Sequence, residues 1–255
     1  MKRLTKSSAW LCALIVVGLG LSTSVNAKDK DKDKEKDSPE KVVDSGSFGV
    51  YNGGHRVATE TFSIKQNSQG SVVASQFKSE QGEQKAEQSS ELELTPSVEL
   101  RHYQWKALIP EKVEATVEPS EAFLVERFVV GAEKQHEQNF LLPSSTSILD
   151  DYFFIQREVL AWKYLATSCH QDNKTGLGCP LKQKVQFGTL NPHARSSMSV
   201  SMEFAGRDKV TVRGAEQELS HFILRSESGD WAFWLDDQLK LVRLLADGGM
   251  EVVRD

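Results

Sequence analysis

Cys169 and Cys179 are the residues with the clearest chemistry in the sequence, because they stand on either side of a loop rich in glycine and asparagine. Two cysteines around a short loop are typical of a disulfide in a protein that meets oxidising conditions. Closing such a loop stabilises a fold by roughly 3 kcal/mol on the chain-entropy account. The alternative is a metal site that adds His170, but structural zinc usually has four ligands and closer cysteine spacing. The sequence therefore predicts a disulfide and no metal site.

The other residue types that could do chemistry do not form a motif. The six histidines lack paired metal-binding spacing, and the chain has no nucleophile elbow, phosphate-binding loop or dinucleotide fingerprint. Asp150-Asp151 and Asp236-Asp237 are paired acids, which a helix start and a turn explain without acid–base catalysis. We therefore expect no enzyme, no catalytic residues and no cofactor. A hydrolase with a dispersed Ser/His/Asp triad stays an alternative, since the members of a triad need not be neighbours in sequence.

Most of the chain after Ser45 alternates polar and apolar residues with a period of two. Arg56 to Gln66 is an example, with Phe62 and Ile64 on the same face. About a dozen such segments occur at roughly ten-residue spacing, joined by Gly, Asn, Asp and Ser, as in antiparallel sandwiches and barrels. We therefore predict a mainly β fold, a curved antiparallel sheet or barrel of about a dozen strands, in a single domain over residues 45–255.

The segment from Ser147 to Ser168 departs from this alternation. Its apolar residues, Tyr152 and Trp162 among them, follow helical spacing, and polar residues supply the opposite side. Ser147 and Asp150 resemble a capping box at the N-terminus. The pattern predicts one long amphipathic helix over 147–168. Such a stripe usually belongs to a core, and the alternative is a helix that lines the mouth of a cavity or moves as a lid.

The N-terminus has the layout of a bacterial secretory signal peptide. Lys2, Arg3 and Lys6 precede an apolar run from Ala9 to Leu21, and small residues end at Ala27, after which we expect cleavage. The 13 apolar residues of this run are too few to cross roughly 30 Å of membrane hydrocarbon as a helix. We therefore predict export to the periplasm or the extracellular space, with no membrane span after cleavage.

A charged spacer follows the predicted signal. Lys28 to Asp37 alternates five lysines with five acids, which leaves no apolar face to bury, and we predict a disordered spacer over residues 28–44. Removal of the signal changes the net charge from −5 to −8, because the signal carries three positive charges and no negative ones. Because the ten residues from Lys28 to Asp37 are neutral together, the excess of acid belongs to the rest of the chain. Proteins that bind nucleic acids normally carry a basic excess, so we exclude that class of partner.

Three stretches of the sequence together resemble a family. They are the hairpin from Gly46 to Ile64, the aromatic segment after Asp150-Asp151, and the C-terminal run containing Trp234-Leu235-Asp236 and Leu241-Val242-Arg243. The chain looks like exported bacterial proteins of unknown function whose first hairpin reads Gly-x-x-Val-Gly-x-Glu-x-Phe-x-Ile. Ala58 stands where that pattern has its second glycine. The resemblance implies a curved sheet or barrel with one helix, similar to lipoprotein-localisation proteins or calycins. It implies no known reaction.

These observations lead to a functional hypothesis of ligand binding in the cell envelope. We expect a non-enzymatic protein whose sheet encloses a pocket for a lipid or another apolar molecule, since barrels of this size commonly enclose ligand cavities. The alternative is a periplasmic interaction or scaffold module with a filled core, whose sheet edge meets an envelope protein. The candidate pocket residues are large apolar and aromatic side chains: Phe62, Phe77, Tyr152, Phe153, Trp162, Met198, Met202, Trp231 and Trp234.

Overall fold

Strands dominate the computed structural model, which describes residues 39–79, 85–172 and 176–255. The predicted signal peptide and the predicted spacer up to residue 38 lie outside the described residues. The described residues form seventeen strands and one helix: β1 (Lys41–Asn52), β2 (His55–Asn67), β3 (Gly70–Ser79), β4 (Glu87–Leu94), β5 (Leu100–Ile109), β6 (Val113–Ser120), β7 (Phe123–Val130), β8 (His136–Phe140), β9 (Ser147–Ile148), α1 (Ile155–Ser168), β10 (His170–Asp172), β11 (Gly176–Gly178), β12 (Lys184–Asn191), β13 (Ser196–Val212), β14 (Ala215–Ser226), β15 (Gly229–Leu235), β16 (Leu241–Ala246) and β17 (Met250–Arg254).

Fifteen of these strands form one sheet, in the order β8-β7-β6-β5-β4-β3-β2-β1-β17-β16-β15-β14-β13-β12-β9. Its neighbouring strands pair antiparallel, except that β9 pairs parallel with β12. The first and last strands are neighbours, with Phe48 opposite Arg254. The prediction of a mainly β protein with a curved antiparallel sheet and one helix is confirmed, with more strands than the alternation had indicated.

The sheet curls so that strands distant in its order approach one another. The turn between β12 and β13 reaches across to β5, where the His193 ring stacks on Trp105 with the ring centroids 3.7 Å apart. The same turn places the Arg195 guanidinium 4.4 Å from the centroid of Phe128 on β7. These contacts join the two halves of the sheet and give it the character of a barrel.

The main hydrophobic core lies on the inner face of the curled sheet. Alternate side chains of most strands pack there against α1, whose Ile155, Leu160 and Tyr164 are almost fully buried. A smaller cluster forms separately around Trp234 and Val242, which pack with Val210, Val212 and Leu219 of the β13–β14 hairpin. The period of two explains this division, because Trp234 alternates with Phe233 and Leu235, which belong to the main core.

The domain begins earlier than the predicted boundary at residue 45. β1 already includes Lys41 to Asp44, so these residues do not belong to a disordered spacer. Asp44 is buried and forms ion pairs with Arg254 and Lys240. A buried carboxylate between two cations is a structural part of the fold. The prediction that the spacer extends to residue 44 was therefore wrong at its C-terminal end.

The helix begins eight residues later than predicted. α1 covers Ile155–Ser168, and Ser147 with Ile148 instead forms β9, opposite Thr189 and Leu190 of β12. The predicted capping box of Ser147 and Asp150 was therefore wrong. Phe154 occupies the N-cap position without a capping side chain of its own. The apolar residues between 148 and 154 belong to an irregular segment that packs inside the sheet.

The predicted disulfide is present between Cys169 and Cys179. Cys169 follows the last residue of α1, and the short hairpin of β10 and β11 lies between the two cysteines. The covalent bond therefore ties the C-terminus of the helix to the chain that enters β12.

Candidate functional site

A cavity of about 620 Å³ opens at one end of the curled sheet. Strands β1, β2, β3 and β17 supply part of its wall, and the segment before α1 supplies another part. Most of the lining is apolar, and the charged side chains in it are Lys85 and Asp151. The lining residues are Val50, Val57, Ala58, Phe77, Ser79, Lys85, Ala86, Pro110, Asp151, Tyr152, Phe154 and Met250.

Two aromatic side chains, Tyr152 and Phe154, form the wall that the segment before α1 contributes. The Tyr152 ring packs edge-on against Phe77 with the centroids 5.2 Å apart. Phe154 is buried and packs against Trp231 of β15. Edge-to-face aromatic pairs add about 0.5–1.5 kcal/mol to the effect of burial, so this wall is a packed surface.

The buried carboxylate of Asp150 holds Tyr152 in place. One carboxylate oxygen accepts the backbone N–H of Tyr152 at 3.0 Å, and the other accepts the hydroxyl of Tyr103 at 2.7 Å. The second oxygen also lies 2.6 Å from Nδ1 of His193. The backbone N–H of Asp150 donates to the side chain of Gln156 on α1 at 2.7 Å. The carboxylate of Asp150 is thus satisfied by Tyr152, by β5 and by the β12–β13 turn, and its backbone N–H is satisfied by α1.

His193 occupies the centre of this polar network. Its Nδ1 faces Asp150, its Nε2 faces the side-chain oxygen of Gln88 on β4, and its ring is stacked on Trp105. In a Ser/His/Asp triad, the ring nitrogen that does not face the carboxylate must face the nucleophile. Gln88 takes that place here. The His193 imidazole therefore connects the β12–β13 turn to β4, to β5 and to the segment before α1.

A second buried carboxylate, Glu60 on β2, holds Phe154. It accepts the backbone N–H of Phe154 at 2.8 Å and that of Ile155 at 3.3 Å, and the hydroxyl of Ser75 donates to it at 2.7 Å. Glu60 thereby caps the helix from another element, because the first N–H groups of a helix lack partners within it. Burial raises the pKa of Glu60 to about 7, against the opposing effect of these hydrogen bonds and of Arg157.

The nine predicted pocket residues do not form one pocket in the structure, because only two of them line the cavity. Phe77 and Tyr152 line the cavity together. Phe153 and Met202 are fully buried in the main core, and Trp234 belongs to the separate outer cluster. The others belong to or pack against the main core: Phe62, which stacks on Phe48, Trp162, which donates to the carbonyl of Leu239, Met198, and Trp231, which packs against Phe154.

Sequence reasoning missed most of the cavity and both carboxylates that support it. Val50 and Ala58 face each other across the β1–β2 hairpin, and Met250 joins them only because the first and last strands are neighbours. The signal that could have indicated Glu60 is its position among inward-facing residues of β2, where a charged side chain interrupts the apolar alternation. His193, by contrast, lies in a turn, and its sequence context gives no sign of burial.

Two further cavities lie on the outer, polar face of β2 to β5. Their volumes are about 460 and 420 Å³, and their walls include Thr61, Gln76 and Ser89. Phe62 lines the first of them and Phe77 and Leu108 line the second, but most of the lining side chains are short or polar and would expose a bound apolar molecule to water. The cavity at the end of the sheet therefore suits an apolar ligand better than either outer cavity does.

No protein-family model and no curated protein matches the chain. Among solved structures, it is similar to a crystal structure of a beta-barrel-like protein of the domain of unknown function DUF1849 from Brucella abortus. The TM-score is 0.53, the sequences are 8% identical, and the similarity covers 83% of this chain and 94% of that chain. The likeness supports a beta-barrel-like fold of unknown function. The hairpin and C-terminal motifs that resemble an exported family stay a prediction.

Within residues 39–79, 85–172 and 176–255, no group of three or more His, Cys, Asp or Glu side chains is arranged to hold a metal ion. In the same ranges, no helix combines the length and the apolar character needed to cross a membrane.

Proposed function

We propose that this protein is an exported, non-enzymatic binding module that holds one lipid or other apolar molecule in the cavity at the end of its sheet. The observation that carries the proposal is the cavity itself, at about 620 Å³ and with Phe77, Tyr152 and Phe154 in its wall. Ligand pockets commonly measure 300–1,000 Å³ and combine apolar walls with a few polar groups. A scaffold module with a filled core would not need such a volume.

The chain exposes an aliphatic side chain directly before a residue of the cavity lining. Pro110 lines the cavity, and Ile109 before it is 39% exposed. An exposed aliphatic residue next to the lining supports a ligand with a long apolar part.

The cavity wall is held rigid before any ligand binds. Asp150 and Glu60 fix the backbone of Tyr152 and of Phe154 through buried hydrogen bonds. A preformed pocket avoids part of the entropy cost of ordering side chains on binding. The burial of Asp150 and Glu60 is thus explained by their structural role, without assigning them a role in catalysis.

Export stays part of the proposal. The predicted signal peptide over residues 1–27 argues for it, and the disulfide between Cys169 and Cys179 suits an oxidising compartment such as the periplasm. We expect the mature N-terminus at Lys28, which N-terminal sequencing of the protein from its host would test.

Filling the cavity tests the proposed function. Ala86 is half-buried in the cavity wall, so Ala86→Trp should occupy the space and weaken binding of decanol, a neutral probe, at least tenfold in isothermal titration calorimetry. Ala215 lies on the surface at the β13–β14 turn, and Ala215→Trp should bind decanol like the wild type. Equal binding by both variants, or no binding of decanol by the wild type, would contradict the proposal.

A further inference from the structure

The charges at the cavity point to the head group of the ligand. Resting on the proposed function, we infer that the ligand is a single-chain amphiphile with an anionic head group, which Lys85 binds at the mouth of the cavity. Lys85 and Asp151 are the charged residues of the lining, and both are exposed. Whether each charge already has a partner decides which of them is free to bind a ligand.

Lys85 has no acidic partner among the described residues, which distinguishes it from the lysines around it. Lys78 on β3 is 3.8 Å from the carboxylate of Glu87, and Lys106 on β5 is 3.8 Å from that of Glu114. These two cations are partly neutralised by their own neighbours on the sheet. Within the described ranges, Lys85 is therefore the cation of the lining that is left to pair with a molecule in the cavity.

Asp151 lies within electrostatic range of a buried cation. Arg157 is buried beside the rings of Phe154 and Trp231; this burial lowers the pKa of its guanidinium, and the charge of Asp151 opposes the shift. A cationic ligand bound at Asp151 would compete with Arg157 for this carboxylate. The anion-binding role thus falls to Lys85, and a cation-binding role for Asp151 is disfavoured.

The aromatic wall also sets the orientation of the bound molecule. Tyr152 and Phe154 form this wall, and the buried side chains of Glu60, Asp150 and Arg157 lie behind it. An anionic head group pushed toward the rings would lose its hydration, whereas an apolar chain would contact the rings favourably. The head group therefore stays at Lys85 near the solvent, and the chain lies inside.

Three probes with one chain length test this inference: decanoate, decanol and decylammonium, titrated into the full-length mature protein near neutral pH and low salt. Decanoate should bind roughly three- to fivefold more tightly than decanol, as expected for one partly exposed ion pair, and decylammonium should bind most weakly. The preference should shrink at about 0.5 M salt, because salt screens exposed charges.

Two charge reversals provide the matched comparison. Lys85→Glu should make decylammonium bind more tightly than decanoate while decanol binding stays the same. Lys78→Glu, at a lysine that already has a partner, should leave the order of the three probes unchanged. Both positions are exposed, and thermal unfolding of each variant verifies that it folds.

The possible failures are distinguishable. If decanol binds but the wild type shows no preference for decanoate, or if Lys85→Glu keeps the wild-type order, the inferred head group is wrong and the apolar cavity stands. If none of the three probes binds, the proposed function fails, and the inference fails with it.

Discussion

At the scale of single residues, the inner face of the sheet contains carboxylates whose protonation affects stability. Glu126 on β7 is fully buried, and neither of its carboxylate oxygens has a hydrogen-bond partner within the described residues. Burial raises the pKa of Glu126 to about 8, with Arg195 opposing this effect and Asp150 adding to it. The folded state thus keeps a proton that the unfolded state releases near pH 4.5. The stabilisation is complete below that pH and is lost as the pH rises through about 8.

Glu126→Gln tests this linkage. The amide cannot ionise, so at pH 8.5 the variant should be more stable than the wild type by on the order of 2 kcal/mol, the scale of a buried unsatisfied charge. Between pH 6 and pH 9 its free energy of unfolding should fall less steeply than that of the wild type. Urea unfolding at several pH values measures both effects. Glu111→Gln, at an exposed position, is the control, and an identical pH dependence in all three proteins would contradict the account.

The position of a side chain and its contacts could be predicted from the sequence only where a local pattern determines them. Alternation placed Phe77 and Met202 on inward faces, and the loop composition between Cys169 and Cys179 indicated the disulfide. The network of Asp150 and His193 joins positions far apart in the chain, and no local pattern records that contact.

At the scale of elements, the start of α1 shows why a helical pattern can mislead. The spacing of Ile148, Tyr152 and Ile155 fits a helix, but the pairing of β9 with β12 and the hydrogen bond from Tyr152 to Asp150 keep the first part of this segment out of the helix. The helix then begins where Glu60 supplies a cap. The apolar pattern predicted the existence of the helix, and a residue on another element determines where it begins.

Removing the cap should destabilise the protein. Glu60→Ala leaves two helix N–H groups and the Ser75 hydroxyl without their partner, so we expect a loss of about 3 kcal/mol from the free energy of unfolding. Glu60→Gln keeps an acceptor oxygen and should cost less than about 1 kcal/mol at pH 7. Urea unfolding measures both, with Glu91→Ala on the exposed side of β4 as the control. A Glu60→Ala variant as stable as this control would show that the cap is unimportant.

At the scale of the whole molecule, the order of the strands creates the site. The strands themselves follow from the period of two, but the pairing of β1 with β17 and the reach of the β12–β13 turn to β5 depend on contacts between distant segments. These contacts determine which end of the sheet opens into a cavity. The sequence therefore predicts the fold class, whereas the location of the cavity required the assembled structure.

The most direct measurement of the central claim is the methyl NMR spectrum of the protein, labelled at alanine and methionine, during titration with decanol. Ala58, Ala86 and Met250 line the apolar cavity, and Ala74 lines the outer polar cavity. The account predicts saturable shifts for the first three methyl groups and none for Ala74. Shifts at Ala74 alone, or no saturable shift at any of the four, would contradict it.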